Sequence, residues 1–374
     1  MRGLVLALAC ATALVSCSQG DQAPDLDGEP VGIARLVNSD PERRSWTGEA
    51  ERPLVMSVWY PAAAGVTMAQ IEIPPDRPVF VGGPAARNAE IGGSGKLPLI
   101  LVSHGTGGSG MQMMWLGRGL AERGYIVAAV DHHGNTAAEP AFDPRGFRMP
   151  WHRALDISRV IDLMMADPLF GPRIDETRIG AAGFSLGGYT VTALAGGRMD
   201  LEAWERFCNS AERDATCDPQ SEYPEAGRDF DQLLMTDAAT ASLQSEYGES
   251  YADVRIRSIV ALAPALAQAF DEESLAAVLV PFLILAGDED TVAPVRTNAA
   301  YLSARIPGAE LQTLEGAAHY TFLNPCNARG KRHVPICADP EGLDRSNIHA
   351  QAVSLADQHF QRTLGVRELP AAKE

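Results

Sequence analysis

The stretch Arg178-Ile179-Gly180-Ala181-Ala182-Gly183-Phe184-Ser185-Leu186-Gly187-Gly188-Tyr189-Thr190 decides how this chain is read. A short apolar run enters Gly183-Phe184-Ser185-Leu186-Gly187, and residues able to begin a helix follow. Gly-x-Ser-x-Gly sets a serine on a sharp strand-to-helix turn, where small flanking residues let the backbone crowd together and expose the hydroxyl. Ser185 is therefore the candidate nucleophile. A glycine-rich turn with an incidental serine has the same five residues, so the surroundings must decide.

Working outward, strand and helix signals alternate. Residues 97–103 form a continuous apolar run that fits a buried strand and empties into His104-Gly105-Thr106-Gly107-Gly108-Ser109. Apolar residues recur at helical spacing over 111–123, and Gly124 suits a helix stop. Residues 125–130 are a second buried strand, ending at Asp131-His132-His133-Gly134-Asn135-Thr136, and 153–166 a second helix. Beyond Ser185 come a helix over 186–195, buried strands at 258–263 and 281–286, a last strand at 311–314 and a closing helix over 348–364. Such alternation predicts an α/β domain with one open, mostly parallel sheet and crossover helices.

Two stretches depart from that rhythm. At the front, 31–37 and 54–60 read as an antiparallel strand pair, followed by a Pro- and Gly-rich surface loop with little regular structure over 61–95. Residues 198–257 scatter Trp204, Phe207, Tyr223, Phe230, Tyr247 and Tyr251 among many acids. An insertion directly after the nucleophile helix is placed to cap the site.

A serine hydroxyl needs a base to take its proton, and the base needs a carboxylate to hold its ring. After the 281–286 strand lies Gly287-Asp288-Glu289-Asp290-Thr291-Val292-Ala293-Pro294, at the strand end where catalytic groups gather in α/β sheets. Asp288, Glu289 and Asp290 compete for the role, and spacing alone does not choose among them. Of eight histidines, His319 alone sits in a small-residue loop downstream of both serine and acids and upstream of the last helix. His349 and His359 fall on that helix as surface or packing residues, and His333 lies between Cys326 and Cys337.

Acyl transfer also needs preorganised N–H donors for the oxyanion. The backbone N–H of Leu186, directly after the nucleophile, is one, and that of Thr106 is the other. Gly105, Gly107 and Gly108 allow main chain to approach a ligand closely. The 104–110 loop lacks the lysine and spacing of a P-loop. His104 reads as a buttress of this loop, His132 and His133 as the rim of the site, and Arg153 and Asp156 as helix-surface residues or loop anchors.

The 374 residues carry 48 acidic against 31 basic side chains, a formal charge of −17 that argues against a nucleic-acid partner. Met1-Arg2-Gly3 precedes a short apolar run from Leu4 to Val15, as in a secretory signal over 1–16. Leu14-Val15-Ser16-Cys17 looks like a bacterial lipobox, so a lipid on Cys17 would tether an exported, periplasmic or cell-surface protein to a membrane through a polar spacer over 17–30. Ordinary signal cleavage is the alternative. Cys208, Cys217, Cys326 and Cys337 remain, and their short separations suggest the pairs Cys208–Cys217 and Cys326–Cys337.

Together, Ser103-His104-Gly105-Thr106-Gly107-Gly108, Asp131-His132-His133-Gly134-Asn135-Thr136, Leu155-Asp156-Ile157 and Gly183-Phe184-Ser185-Leu186-Gly187-Gly188 resemble the α/β-hydrolase superfamily. More narrowly they look like its bacterial dienelactone-hydrolase-like and platelet-activating-factor-acetylhydrolase-like esterases. The resemblance covers about 31–364 and implies an α/β-hydrolase fold, with the catalytic domain over 31–374 and the cap at 198–257. It implies a serine carboxylic ester hydrolase with a Ser185-Asp290-His319 triad, an acyl-enzyme, no cofactor and no metal.

Asp290-Thr291-Val292-Ala293-Pro294-Val295 is also similar to the acidic loop of bacterial cutinases and polyester hydrolases, which selects Asp290 from the three acids. There are departures. Ser185 stands where dienelactone hydrolases use cysteine, His104-Gly105-Thr106 lacks the aromatic oxyanion residue of cutinases, and their open site has no equivalent of the 198–257 insertion. The expected substrate is an apolar or short-acyl ester, with polyester or phospholipid acyl cleavage as alternatives. A ligand-binding lipoprotein with an inactive site is the reading from another class.

Overall fold

The computed structural model describes residues 29–365. The expected signal over 1–16, Cys17 and most of the expected 17–30 spacer lie outside the described residues. Ten strands form one sheet: β1 (Val31–Arg44), β2 (Glu51–Pro61), β3 (Ala69–Ile73), β4 (Phe80–Arg87), β5 (Leu97–Ser103), β6 (Ile126–Asp131), β7 (Ile174–Phe184), β8 (Ile256–Leu262), β9 (Phe282–Gly287) and β10 (Glu310–Leu314). Their order is β10-β9-β8-β7-β5-β6-β2-β1-β4-β3. The run from β10 to β6 is parallel, and β2 joins β6 antiparallel.

The helices are α1 (Met114–Ala121), α2 (Pro144–Arg148), α3 (His152–Ala166), α4 (Leu186–Leu194), α5 (Leu201–Cys208), α6 (Ala226–Thr236), α7 (Ala238–Gln244), α8 (Glu272–Ala276), α9 (Ala299–Arg305), α10 (Ala328–His333) and α11 (Arg345–Leu364). Central strands are apolar throughout because helices cover both faces. Side chains alternate between those faces. Leu99 and Leu101 pack with Ile157, Val160 and Val191 of α3 and α4, whereas Ile100 and Val102 pack with Leu120 of α1 and Val353 and Phe360 of α11.

From β5 the chain passes to β6 on one side and then crosses back to β7 on the other. The loops leaving β5 and β7 therefore diverge at a switch point, where α/β sheets open a crevice for ligands. The 104–110 loop and Ser185 both lie there.

The 61–95 stretch is more ordered than its composition suggests, since β3 and β4 extend the sheet at its far edge. β4 pairs with β1 through only two residue pairs, and its Gly82-Gly83-Pro84 breaks strand alternation, with Gly83 at φ 98°. Such residues are tolerated at a sheet edge, which hides the strand from pattern reading. The predicted 111–123 helix opens as a 3-10 turn over Gly110–Met113 before α1.

The 198–257 insertion folds into α5, α6 and α7. Cys208 and Cys217 are disulfide-bonded, with Cα atoms 5.5 Å apart, and Cys326 and Cys337 form the second bridge. Asp214, inside the first bridge, accepts hydrogen bonds from Thr297 Oγ1 and from Asn298 Nδ2 at 3.0 Å, fastening the insertion behind the acidic loop.

Candidate active site

The turn after β7 holds Ser185 at φ 55°, ψ −115°, a backbone conformation that a non-glycine residue adopts only when its surroundings enforce it. Here they do. A Cβ on Gly183 would lie 2.0 Å from the Gly187 carbonyl oxygen, and one on Gly187 2.0 Å from that of Ser103. Ser185 N–H donates to Leu262 O at 2.9 Å, and Ala265 N–H donates to Ser185 O at 3.1 Å. The strained turn is thus pinned to β8 at its amide and to the loop after β8 at its carbonyl.

Ser185 Oγ lies 2.9 Å from His319 Nε2, and His319 Nδ1 lies 2.7 Å from Asp290 Oδ2. The other Asp290 oxygen accepts from Val292 N–H at 2.9 Å and Ala293 N–H at 2.7 Å. One carboxylate oxygen anchors the loop while the other orients the imidazole, leaving Nε2 to accept the serine hydroxyl. Asp288 and Glu289 are exposed, and Asp288 accepts from Gly316 N–H instead. Among the three competing acids, Asp290 alone bonds His319.

Thr106 and Leu186 line the same cavity as Ser185. The loop carrying Thr106 presses on the serine turn: a Cβ on Gly105 would sit 3.2 Å from Ser185 Cβ. Gly107, at φ 60°, donates its N–H to Asn135 Oδ1 at 2.8 Å. His104 buttresses this loop, with Nδ1–H donating to Gly105 O at 2.7 Å and Nε2 accepting His132 N–H at 3.1 Å. Burial, aided by nearby Arg153, holds its pKa well below the usual histidine value, so the ring is neutral.

His132 and His133 do not form the rim expected of them. His132 is fully buried, with Nδ1 3.0 Å from Asp156 Oδ2 and Nε2 2.9 Å from Ser103 Oγ. Burial and the Arg153 charge push its pKa down to about 3. His133 Nε2 accepts Trp46 N–H at 3.1 Å and so anchors the turn between β1 and β2.

Arg153 and Asp156 are anchors rather than surface residues, both almost wholly buried. Asp156 accepts from Arg52 at 2.7 and 3.1 Å and from Arg43 at 2.8 Å. Burial alone would raise its pKa, but the two arginines and His132 outweigh burial and hold it well below the carboxylate range. Arg153 donates to Thr190 Oγ1 and Asn135 Oδ1, each at 3.2 Å, to Ser103 Oγ at 3.3 Å and to the His104 carbonyl. Through Asn135 it reaches the Gly107 amide, so this network stands directly behind the Thr106 loop. Sequence reading missed it because its members come from β1, β2, β5, α3 and two loops, with no shared motif.

In front of Ser185 lies a cavity of about 490 Å³. The face carrying Ser185 supplies Thr106, Ser185, Leu186 and Tyr320, and the insertion roofs it with Trp204, Gln220, Glu222 and Tyr223. A smaller arm of about 90 Å³ lies between the Thr106 loop, Ser185 and His319. Of eight histidines, only His319 combines a serine, a carboxylate and a cavity wall.

A sequence profile described as the alpha/beta hydrolase family matches residues 99–328, more than half of the chain. The chain belongs to the alpha/beta hydrolase family. Cutinase est1 of Thermobifida alba is 32% identical over 106 residues, covering 28% of this chain and 32% of the cutinase. Cutinase 2 of Thermobifida cellulosilytica is 30% identical over 106 residues, covering 28% of this chain and 36% of that enzyme. This hydrolase thus spans about a third of the length of the curated relatives it matches. Its fold is similar to that of a ferulic acid esterase from Streptomyces cinnamoneus, with a TM-score of 0.59, 20% identity and coverage of 92% of this chain and 93% of the other.

Proposed function

We propose that this α/β hydrolase is a serine carboxylic ester hydrolase. The observation that carries the reading is the continuous Ser185-His319-Asp290 hydrogen-bond relay, ending on a strained serine in the wall of a cavity. His319 Nε2 takes the Ser185 proton as Oγ attacks the ester carbonyl, and Asp290 stabilises the imidazolium. The N–H groups of Leu186 and Thr106 receive the oxyanion. On collapse the leaving alcohol takes the proton from His319. Water, activated by the same base, then attacks the acyl-enzyme and releases the acid.

Residues 198–257 act as a cap, and the enclosed space under them favours an apolar or short-acyl ester of modest size. The subtype closest in motif order is dienelactone-hydrolase-like or platelet-activating-factor-acetylhydrolase-like, with serine chemistry. Polyester cleavage is the second reading, favoured by the local likeness to proteins named cutinases. A panel of soluble short- and long-acyl esters, a short-acyl phospholipid and a solid polyester separates these substrates.

The decisive test is Ser185→Ala. Turnover of p-nitrophenyl esters should fall by about 10⁶-fold, the scale of losing a triad serine, and a fluorophosphonate probe should label wild type but not the variant. Near-wild-type turnover by the alanine variant would rule the mechanism out, and a folded wild type inert to both assays would favour a ligand-binding lipoprotein. Export with a lipid on Cys17 completes the proposal, supported by the lipobox-like Leu14-Val15-Ser16-Cys17 and by two disulfides, which persist in oxidising compartments. Labelling with a palmitate analogue should mark wild type and not Cys17→Ala; an unlabelled wild type removes the anchor.

A further inference from the structure

The two cavities at Ser185 differ in which catalytic groups they touch. Both include Ser185, Thr106, Glu222 and Tyr320, but His319 lines only the smaller arm. On the proposed mechanism, His319 hands its proton to the departing alkoxide, so the arm it lines is where the alcohol half of the ester sits. The larger cavity is left for the acyl half.

The small arm carries one acidic side chain. Among its described lining residues, Glu222 is the only carboxylate, and no lysine or arginine faces it. The insertion lays Glu222 on the Thr106 loop so closely that a Cβ on Gly107 would come within 2.7 Å of Glu222 Cγ. Its carboxylate accepts a hydrogen bond from Ser221 Oγ at 3.1 Å, and no ion pair to it forms among the described residues. The larger cavity differs, because its charges include both signs: Arg228 is paired with Asp229 and Asp218 with Arg213, and Arg148 adds a positive charge.

An unpaired carboxylate beside an oxyanion-binding loop opposes the negative charge that develops in the transition state. For a neutral ester that cost stands. A cation on the leaving alcohol would offset it, and the Tyr320 ring in the same arm offers a face for cation–π attraction.

We infer that the small arm selects esters of small alcohols bearing an ammonium group, with Glu222 as the specificity-determining residue. This rests on the serine-hydrolase reading of the same site. The small volume of the arm suits an amino alcohol of a few carbons, and the larger cavity takes its acyl chain.

The test compares kcat/KM for the choline ester of butyric acid and for its neutral isostere, in which tert-butyl replaces trimethylammonium. Wild type is set against Glu222→Gln, Glu222→Lys and Glu225→Gln, the last removing an exposed acid of the same segment that lines neither cavity. Dividing each variant's cationic-to-neutral ratio by that of wild type cancels the intrinsic reactivities of the two esters. Glu222→Gln should lower the ratio about tenfold, the scale of one charge pair at close range in a half-solvated site, and Glu222→Lys should lower it further. Glu225→Gln should leave it within about twofold, because a charge outside the arm is screened.

A ratio unchanged in both Glu222 variants, or lowered equally by Glu225→Gln, overturns the inference. In those cases the neutral ester is still hydrolysed and the hydrolase reading stands. Failure of that reading looks different: wild type then hydrolyses neither ester and resists the fluorophosphonate probe.

Discussion

This hydrolase contains two Asp-His-Ser relays joined through the same atoms. In one, Asp290 meets His319 Nδ1 at 2.7 Å and His319 Nε2 meets Ser185 Oγ at 2.9 Å. In the other, Asp156 meets His132 Nδ1 at 3.0 Å and His132 Nε2 meets Ser103 Oγ at 2.9 Å. Hydrogen-bond geometry barely separates them. Access and charge do. Ser185 stands on a strained turn facing a cavity, while Ser103 is 0% exposed at the end of β5. Among the described residues no arginine pairs with Asp290, whereas Asp156 is clamped by Arg43 and Arg52 and cannot offer its full charge to an imidazolium. Ser103 Oγ also accepts from Arg153. On the proposed mechanism it is the surroundings that separate a catalytic triad from a brace, which the same three side chains form when buried and neutralised.

The largest difference between the relays should appear on removing each serine. Against the ~10⁶-fold loss for Ser185→Ala, Ser103→Ala should keep turnover within about tenfold of wild type, since it removes two buried hydrogen bonds of about 1 kcal/mol each and no group at the cavity. A comparable collapse of both variants, each folded by circular dichroism, would break the distinction.

The two carboxylates come next. Asp290→Asn should cut kcat by about 10⁴-fold, as expected when the base is held in the wrong tautomer, with little change in stability. Asp156→Asn should do the reverse, because it strands two arginines and costs about 3–5 kcal/mol in a denaturant titration. Arg153→Met then tests whether the brace serves the Thr106 loop. Loosening that loop should lower kcat by about 10–100-fold with KM nearly unchanged, and a pure KM effect would sever the link.

The brace also leaves its mark on pH dependence. Burial lowers the pKa of His132 and His152 to about 3 and of His349 to about 4. Below about pH 6.5 the unfolded chain binds protons that these buried rings refuse, so stability falls as pH drops from there toward their folded values. The depressed Asp156 contributes stability above its unfolded pKa and loses it only in strong acid. Thermal midpoints should therefore decline between pH 6 and 4, at about 1.4 kcal/mol per pH unit for each fully buried ring, and His132→Gln should flatten the decline. An unaltered slope in that variant would remove His132 from the account.

Much of the front of the site was legible in the chain because it obeys local rules. Gly183-Phe184-Ser185-Leu186-Gly187 needs small residues for its own turn, Asp290 lies in the loop after the apolar run of β9, and His319 lies in a small-residue loop after β10. The back of the site was not legible. Arg52, Ser103, His132 and Arg153 are ordinary polar residues in sequence, and only burial makes them a network. Strands β3 and β4, the last two at the far end of the sheet, escaped for a related reason, since the margin of a sheet accepts the Pro and Gly residues that also mark loops.

The sequence by itself determined the alternation that builds the sheet, the serine turn, the order of acid and base, and the short cysteine spacings that close as bridges. These follow from periodicity and from backbone sterics, which act between near neighbours. Spacing left Asp288, Glu289 and Asp290 open and a resemblance pointed to Asp290, while the tertiary structure brings Asp290 against His319. It alone turned His132 from rim to brace, and it laid Glu222 against the Thr106 loop. Those outcomes depend on which groups share a desolvated space, and desolvation is set by packing between segments far apart in the chain.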